Sequence, residues 1–541
     1  MDIHSEASTI REALTFSAFL RQDARVPASA KYDSVAECLD LLDMHDIADQ
    51  MVRGRSVEQM KRLTIGVELA AQPSVLFLDE PTSGLDARSA KLVMDGVRKV
   101  ADTGRTVVCT IHQPSSEVFA LFDRLLLLKR GGETVFFGDL GVGCRNLVDY
   151  FEAIPGVAPL PKDCNPATWM LECIGAGIGS PADVNPSSSR EDQSPSSDFV
   201  QIFNTSDHKR ALEASMAEPG VCSPASGTPK LVFSHKRAAS SLTQMHFVVG
   251  RFMDLYWRTP SYSLTRLVMS VVMALLFGVI FTGADYASYQ GVNSGLGMLF
   301  IVVVFNGFVA FSSVIPLACQ ERPSFYRERA SQTYNAFWYF VGSTLAELPY
   351  VFLSGLVFTL IFYPMVVGAT GGLDTAVLFW LNLSLTLLMQ AYMGLLFAAA
   401  LPSEEVAAIL GVLAFNILLL FMGFSPPASA IPQGYQWLYH VTPLRFPLAI
   451  AGALVFARCS TEPAYDNTTE LWSNVGSELG CQPLANSPVS LGHTTVREFT
   501  EQVFGMKHDD IGTNFLVLTG YVVGFRVLGA LALRFVNHQK R

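Results

Sequence analysis

The sequence contains little charge for its length. Asp, Glu, Lys and Arg make up 16% of the 541 residues, whereas apolar residues make up 50%. Soluble domains usually contain roughly 25% charged residues. Acidic residues outnumber basic ones and the net charge is −10, and without a basic stripe this balance argues against a nucleic-acid partner. Long apolar runs begin near Leu264, so the shortage of charge predicts a second half that is embedded in a membrane.

A phosphate-binding loop of the G-x-x-x-x-G-K-[ST] type is also missing, and the dipeptide Gly-Lys occurs nowhere. This absence matters because "SVLFLDEPTSGLD" places two adjacent carboxylates, Asp79 and Glu80, directly after an apolar run. Such a pair suits Mg²⁺ coordination and the activation of water beside a nucleotide. An isolated Asp-Glu before a proline is more often the start of a solvated turn, so the neighbouring sequence has to decide between the two.

The first part of the chain alternates helical and strand-like segments. Thr9 with Glu12 and Ser56 with Gln59 match the capping box that marks a helix N-terminus. "VLFLD" and "TVVCTIH" are apolar at successive positions, which predicts parallel strands that are buried on both faces. The second run ends at His112, which should therefore lie at the same carboxyl edge as the acidic pair. The pattern predicts an α/β domain.

The stretch "SVEQMKRLTIGVELAAQPSVLFLDEPTSGLD…TVVCTIHQPS" resembles the nucleotide-binding domain of an ABC transporter. "IHQPSSEVF" and "NPATWMLECIGAG" are similar to its G subfamily, and within it to the pleiotropic drug resistance type. The resemblance implies that Asp79 holds Mg²⁺, that Glu80 is the general base for the attacking water, and that His112 contacts the γ-phosphate of ATP. It also implies a signature helix at Ser56, Val57, Glu58 and Gln59 and a D-loop at Ser83, Gly84, Leu85 and Asp86.

Two departures from the family pattern affect the expected activity. The Walker A loop and the Q-loop glutamine, which precede this stretch in the family, are not found, so we expect a chain that is truncated before its Q-loop and does not hydrolyse ATP alone. Val57 and Glu58 stand where the family has the two glycines of L-S-G-G-Q, and Glu58 brings negative charge towards the triphosphate. At about 5 Å and an effective dielectric near 20, each like charge costs roughly 3 kcal/mol.

A degenerate signature beside an intact Glu80 resembles the C-terminal half of a full-size transporter. The partner would then be the N-terminal half of the same protein, or a second ABC subunit. The implied function is ATP-driven efflux of hydrophobic or amphipathic compounds, such as xenobiotics or lipids. Two alternatives stay open: a half-size transporter with a drifted signature, and a natural short form that serves as a non-hydrolytic membrane subunit or regulator.

The sequence divides into four predicted parts. Residues 1–140 would form the partial nucleotide-binding domain, and residues 141–240 a family-specific extension with a flexible linker rich in Ser, Pro and Asp. Residues 241–260 resemble the amphipathic elbow helix, and residues 261–541 a six-helix membrane domain of the ABC-2 (G-type) exporter class. The predicted spans lie near 264–282, 294–318, 344–366, 375–400, 404–426 and 513–535.

The distribution of arginine orients the predicted spans. The loop expected between the second and third spans contains "ERPSFYRER", whereas the loops at 283–293 and 367–374 contain no Lys or Arg. This asymmetry predicts that the arginine loop, the nucleotide-binding domain and both ends are cytosolic in a multi-pass protein, which we expect in the plasma membrane. By resemblance the loop couples the two domains, although it would otherwise be a solvated, salt-bridged loop. The implied coupling residues are Glu321, Arg322, Arg327, Glu328 and Arg329.

The predicted loop at residues 427–512 is extracellular in this topology. It contains Cys459 and Cys481, which are candidates for a disulfide. Asn467 begins an Asn-Thr-Thr glycosylation acceptor in the same loop. The first part of the loop, "IPQGYQWLYHVTPLRFPLAIAGALVF", is interrupted by prolines and resembles the re-entrant helices of the family rather than a seventh span.

Polar side chains inside spans are costly unless they are paired or face a cavity. By resemblance the second and fifth spans line the cargo cavity, which implies that Phe305, Asn306 and Asn416 face it and that Phe424 belongs to a hydrophobic plug above it. Hydrogen bonding between helices is the plain alternative for the asparagines.

Arg526 lies within the last predicted span. It would either extend outward to the membrane surface or pair with Glu347, and the sequence leaves both possibilities open.

Overall fold

The chain divides into two compact units, Met1–Ala239 and Ser240–Arg541. The first unit mixes helices and strands, and the second is almost entirely helical among the residues that are described. The computed structural model describes residues 3–129, 131–175, 198–224, 227, 235–368, 372–466 and 471–538.

The first unit contains a helical layer beside short strands. The capping boxes at its first and third helices are confirmed, because the side chains of Thr9 and Ser56 each accept an N3 backbone N–H at 3.2 Å. The helices are α1 (Ile10–Arg21), α2 (Ala28–Leu41), α3 (Val57–Leu69), α4 (Ala87–Asp102), α5 (Ser116–Phe119), α6 (Arg145–Glu152), α7 (Pro166–Cys173), α8 (Phe199–Thr205) and α9 (Asp207–Ala217). The strands are β1 (Val75–Asp79), β2 (Thr106–Thr110), β3 (Arg124–Leu128) and β4 (Thr134–Asp139).

The strands form two pairs. β1 and β2 are parallel, with Asp79 opposite Thr110, and β3 and β4 are antiparallel. Helices α1 to α4 share an apolar core with one face of β1, where Leu76 is buried. The prediction of burial on both faces is wrong: Phe77 on the opposite face is 76% exposed, and Val108 on β2 is 49% exposed. A continuous apolar run predicts a strand with both faces covered, but among the described residues helices cover only one face of β1.

The predicted linker is partly ordered. Within residues 141–240, helices α8 and α9 lie against β4, and Phe199 and Phe203 of α8 are buried. The prediction of a flexible connector is therefore wrong for residues 198–217, because α8 has an apolar face to bury and each helix has a cap, from Asp198 and Ser206. The Ser- and Pro-rich residues 176–197 of this prediction lie outside the described residues.

The second unit is a helical bundle with a structured loop at one end. Its long helices are α10 (Ser241–Trp257), α11 (Pro260–Phe281), α12 (Tyr289–Ala330), α13 (Ala336–Val366), α14 (Gly372–Ala400), α15 (Glu404–Leu420) and α19 (Ile511–Phe535). The loop contains α16 (Gln436–Val441), α17 (Arg445–Phe456), β5 (Ala464–Asp466), β6 (Leu471–Ser473) and α18 (Val496–Phe504).

Among the described residues, five helices are long and apolar enough to cross a membrane, namely α11, α12, α13, α14 and the helix ending at Phe535. The fifth predicted span corresponds to α15, which ends at Leu420 instead of continuing to residue 426. Its 17 residues are at the short limit for a bilayer of about 30 Å. Residues 433–441 and 445–456 form a pair bent by 83°, which agrees with the re-entrant geometry expected from the sequence.

Helix α12 is longer than predicted. It continues for 42 residues through Pro316 and Pro323 to Ala330, so the loop expected at "ERPSFYRER" is helix instead. The prediction ended the span near residue 318, where the apolar run stops, and assigned the charged residues that follow to a loop. The structure satisfies that charge locally and packs one side of the segment, where Glu321 and Phe325 are buried. Only residues 331–335 separate α12 from α13.

The loop between α15 and α19 is joined to the start of α12. The backbone N–H of Tyr289 donates to the carbonyl of Ala485 at 2.9 Å, and the N–H of Ala485 donates to the carbonyl of Ala287 at 2.9 Å. Within the bundle, α12 and α14 approach closely at Gly394, where a Cβ would lie 2.5 Å from the carbonyl oxygen of Phe311. A larger residue at this position would force the two helices apart.

Candidate functional site

The two predicted catalytic residues and the predicted Mg²⁺ ligand meet at one edge of the first unit. Because β1 and β2 are parallel and in register, their carboxyl ends place Asp79, Glu80 and His112 side by side. Thr110 joins them: its hydroxyl donates to Asp79 Oδ1 at 2.7 Å and accepts the backbone N–H of Glu80 at 2.9 Å. His112 Nε2 lies 3.1 Å from Glu80 Oε1.

Glu80 is held in an unusual backbone conformation. Its φ is +49°, in the left-handed region that costs a non-glycine residue of order 1 kcal/mol. The carbonyl of Glu80 accepts the N–H of Ser83 at 3.1 Å, which closes the turn after β1. The side chain of Glu80 is 44% exposed and that of His112 is 82% exposed. Both polar groups therefore face solvent and can reach a bound water.

The oxygen donors at this edge suit a Mg²⁺ ion. Asp79 and Glu80 supply adjacent carboxylates, and Thr110 fixes the first of them. In the described part of the chain no three His, Cys, Asp or Glu side chains cluster as a metal cage. Mg²⁺ in nucleotide sites is commonly held by one or two carboxylates together with phosphate oxygens and water, so a complete protein cage is not required.

The segment predicted as the D-loop forms the turn into α4. Gly84 has a φ of +76°, which a side chain would strain. The Asp86 carboxylate accepts the backbone N–H of Ser89 at 2.7 Å and caps the helix. Hydrogen bonds from Ser89 lower the pKa of Asp86. Ser83 and Leu85 complete the turn, with the N–H of Leu85 bonded to the carbonyl of Thr82 at 3.2 Å.

The predicted signature residues lie at the N-terminus of α3. Ser56 and Gln59 cap the helix reciprocally, each side chain bonded to the other's backbone N–H at 3.2 Å. Val57 is 58% exposed. Glu58 forms an ion pair with Arg62 on the next turn, so part of the negative charge expected at this position is compensated within the helix.

Two residues that the sequence reasoning did not single out support the site. Thr110 bridges Asp79 and Glu80, and only the strand register could have revealed it. Asn165 donates from Nδ2 to the carbonyl of Pro114 at 2.7 Å and also caps α7. The "NPATW" motif therefore anchors the segment that follows His112.

The predicted cavity residues differ in exposure. Phe305 is 39% exposed and Asn416 is also exposed. Asn306 is buried, and its amide donates to the carbonyl of Val302 at 2.9 Å within α12. The amide of Asn416 bonds similarly to Val412 of its own helix at 2.8 Å. Phe305 and Asn416 are thus available to a ligand on the surface of this unit, and Asn306 lies inside the packing.

The predicted plug residue lies among aromatic rings. Phe424 is half-buried, with its ring centroid 5.0 Å from that of Phe300 and 6.0 Å from that of Phe504. Its ring also lies close to Gly297 of α12. The cluster connects the end of α15 to α12 and to α18 of the loop.

A buried ion pair inside the bundle was not anticipated. Arg266 Nη1 donates to Glu347 Oε1 at 2.7 Å, and their side chains are 3% and 0% exposed. Arg266 also donates to the Ser313 hydroxyl at 2.7 Å and lies over the Tyr262 ring at 4.5 Å. The sequence analysis overlooked Arg266 because it begins a predicted span, where a cation usually extends to the membrane surface.

Arg526 follows neither of its two predicted alternatives. It is buried and donates to the Thr344 hydroxyl at 2.6 Å and to the Phe340 carbonyl at 2.7 Å. Its guanidinium lies 4.3 Å above the Phe340 ring. Glu347 already has Arg266 as its partner, so Arg526 is stabilised by dipoles and an aromatic face instead.

The charged residues predicted to couple the domains lie on the last turns of α12. Arg322 donates to three carbonyls at the end of α14, including that of Ala398 at 2.7 Å. Glu328 accepts from Arg251 of α10 at 2.8 Å. Glu321 is buried, and Arg327 and Arg329 are partly or fully exposed. The segment joins α10, α12 and α14 instead of extending into solvent.

Cys459 and Cys481 form a disulfide in the loop. Nearby, Glu478 accepts from Arg458 Nε at 3.0 Å, which adds an ion pair to the covalent link. Asn467, the predicted glycosylation acceptor, lies outside the described residues.

We expect the variant Cys459→Ser to destabilise the loop. The disulfide spans 22 residues, and a closed loop of that length restricts the unfolded chain by about 3 kcal/mol. Limited proteolysis of the loop at increasing temperature would measure the loss. Cys481→Ser and the double variant should match Cys459→Ser, and Cys222→Ser, at an exposed free cysteine, should behave as wild type. Unequal effects of the two single variants would contradict a shared bond.

Comparison with protein families assigns both parts of the chain to transporters. Residues 243–455 match a family model described as ABC-2 type transporter, and residues 112–193 match a second model with the same description. Together with the five long apolar helices, the match defines an integral membrane protein with an ABC-2 membrane domain.

Curated relatives match over the whole chain. ABC transporter G family member 38 of Oryza sativa subsp. japonica is 36% identical over 549 residues, covering 100% of this chain and 34% of that protein. ABC transporter G family member 36 of Arabidopsis thaliana and Pleiotropic drug resistance protein 1 of Nicotiana tabacum are each 35% identical, covering 100% of this chain and 35% of their own length. The chain belongs to the ABC transporter G family, pleiotropic drug resistance type, and spans about a third of the length of these relatives.

Among solved structures, an ATP-binding cassette of an ABC transporter in its ADP conformation is similar to part of the chain. It is 19% identical with a TM-score of 0.23, covering 27% of this chain and 59% of that one.

Proposed function

We propose that this chain is the C-terminal half of an ATP-driven exporter, with a partial nucleotide-binding domain at residues 1–140 and an elbow helix and membrane domain from residue 241. The observation that carries the proposal is the contact between Glu80 and His112 beside Asp79, in a chain that also contains an ABC-2 membrane domain. Carboxylate and imidazole at the carboxyl edge of parallel strands suit phosphoryl transfer to water.

The residues at this edge have separate roles in the proposed reaction. Glu80 accepts the proton of the attacking water, and His112 orients the carboxylate from 3.1 Å and contacts the γ-phosphate. Asp79 would hold Mg²⁺, which supplies positive charge to the phosphate oxygens when bound. Thr110 keeps Asp79 and the Glu80 backbone in place. The residues that grip the triphosphate would come from the partner half or subunit, or from a preceding segment of the same domain.

The proposed cargo is a hydrophobic or amphipathic small molecule or lipid. Phe305 and Asn416 present an apolar ring and an amide on the exposed surface of α12 and α15, and binding sites for such compounds combine apolar walls with a few polar groups. The drug resistance named in several relatives supports the same class. The short arginine-free loops support an orientation with both ends in the cytosol, and the plasma membrane is the proposed location.

Transport in inside-out vesicles tests this proposal. Vesicles from cells that produce the complete protein should accumulate a hydrophobic fluorescent dye with ATP and Mg²⁺, but not with a non-hydrolysable ATP analogue. Empty-vector vesicles control for passive partitioning. Equal dye uptake with and without ATP, at matched protein levels and over a panel of chemically different dyes, would contradict ATP-driven export.

A further inference from the structure

The second unit contains an open groove that the proposed transport cycle does not use. It has a volume of about 570 Å³ and lies between the end of α12, the start of α13 and the end of α19. Helix α12 begins beside Ala485, in the loop between α15 and α19 that contains the disulfide. It reaches the groove 42 residues later, so the groove lies at the opposite end of the bundle. The side chains that matter for its chemistry are Arg329, Phe337, Phe340, Val527, Leu531 and Arg534.

Two cations line this groove, and none of its lining residues is acidic. Arg329 is exposed and donates to the carbonyls of Leu533 and Arg534 at 3.0 and 3.3 Å, and among the residues that the structure describes no carboxylate forms an ion pair with it. The neighbouring carboxylate of Glu328 accepts from Arg251 and from Tyr334, the latter at 2.6 Å.

Arg534 has a similar environment. It is exposed, its guanidinium lies 5.4 Å from the Phe535 ring, and within the described residues no carboxylate lines the groove beside it. The groove therefore has a net positive charge at its mouth, which attracts an anion.

The remaining wall of the groove is apolar and continues along α19. Phe337 is 56% exposed, Val527 49% and Leu531 44%. Val527 and Leu531 are four residues apart, so they form one strip of about 6 Å along the helix. An inorganic anion would use only the arginines, whereas a molecule with a charged head and a hydrocarbon chain would cover both parts of the surface.

We propose that this groove binds an anionic phospholipid, with its phosphate between Arg329 and Arg534 and an acyl chain along Val527 and Leu531. Arg329 lies at the C-terminal end of α12 and Arg534 at that of α19, at the boundary between apolar and polar sequence, which is where headgroups lie. Basic clefts between helices at the cytosolic surface are suited to acidic headgroups. The proposal depends on the membrane location alone and not on transport.

Native mass spectrometry of the full chain in detergent tests the site. Phosphatidylserine and phosphatidylcholine with identical chains would be titrated separately, and wild type should bind the first at least tenfold more tightly. Each arginine near an anionic headgroup contributes about fivefold, so Arg534→Gln should lose about that factor for phosphatidylserine and little for phosphatidylcholine. Leu531→Ser should weaken both lipids, because it shortens the apolar strip.

Controls separate the site from general charge and from free phosphate. Arg534→Lys keeps the cation and should retain most of the preference. Arg497→Gln, at a partly exposed arginine of α18, should leave the preference for phosphatidylserine unchanged. Millimolar inorganic phosphate should not displace the lipid; displacement would identify an anion site instead. Equal wild-type affinity for the two lipids, or an undiminished preference in folded Arg534→Gln and Arg329→Gln variants, would overturn the proposal.

Discussion

Replacing Glu80 by Gln in the complete transporter is expected to lower ATP turnover by at least about 100-fold, the range typical for loss of a general base. Glutamine keeps the size of the side chain and its contact with His112 but cannot accept a proton from water. ATP binding should persist, because neither Asp79 nor Thr110 is altered. Phosphate release at saturating ATP, together with binding of a fluorescent ATP analogue, would measure both effects.

The matched control is Glu213→Gln on α9, whose carboxylate is 63% exposed and contacts only Lys209 among described ion-pair partners. It should turn over ATP at the wild-type rate. His112→Ala should also reduce turnover, because it removes the group that orients the Glu80 carboxylate. Wild-type turnover in the Glu80→Gln protein, with ATP binding intact, would remove Glu80 from the catalytic role.

The variant Glu347→Gln is expected to destabilise the membrane unit by about 3–5 kcal/mol, because it leaves the charge of Arg266 buried without a counter-charge. The side chain of Arg266 is 3% exposed and that of Glu347 is 0% exposed. In a unit of about 300 residues such a loss lowers the melting temperature by about 5–8 °C. Thermal unfolding of the detergent-purified chain would measure the shift.

A double variant tests whether the pair itself is responsible. Arg266→Met combined with Glu347→Leu removes both charges and should recover most of the lost stability, because apolar side chains of similar volume can replace a buried ion pair. Asp207→Asn, at a carboxylate that is 92% exposed, should not change the melting temperature. A double variant as unstable as Glu347→Gln would show that the cost comes from packing and not from the unpaired charge.

Local sequence signals predicted the helix starts and the acidic site. Thr9 and Ser56 cap helices through residues only three positions away, so the sequence alone is enough to predict the contact. Both capping boxes are present in the structure. The meeting of Glu80 with His112 followed from the parallel strand order, since carboxyl ends share one edge. The apolar runs located α11, α14 and α19 within a few residues, whereas α12 and α13 are longer than the spans predicted for them.

Features that depend on tertiary packing were not predictable. The charged stretch at "ERPSFYRER" was predicted as a loop, yet α12 continues through it because neighbouring helices satisfy its charges, as the carbonyls at the end of α14 do for Arg322. Arg266 and Glu347 are 81 residues apart in the sequence, and no local sequence pattern predicts that they form an ion pair. Phe77 illustrates a different error. Its apolar strand was predicted to be buried on both faces, but among the described residues only one face is covered and Phe77 is exposed.

Helix α12 connects the two ends of the membrane unit as one continuous helix. Its 42 residues give a length of about 63 Å, twice the thickness of the hydrocarbon layer. One end is hydrogen-bonded to the disulfide-linked loop, and the other contains the arginines and Glu328. If the helix tilted as one body by about 10° around its midpoint, its two ends would move by roughly 5 Å in opposite directions. A small tilt on one side of the bilayer would then produce a movement on the other side.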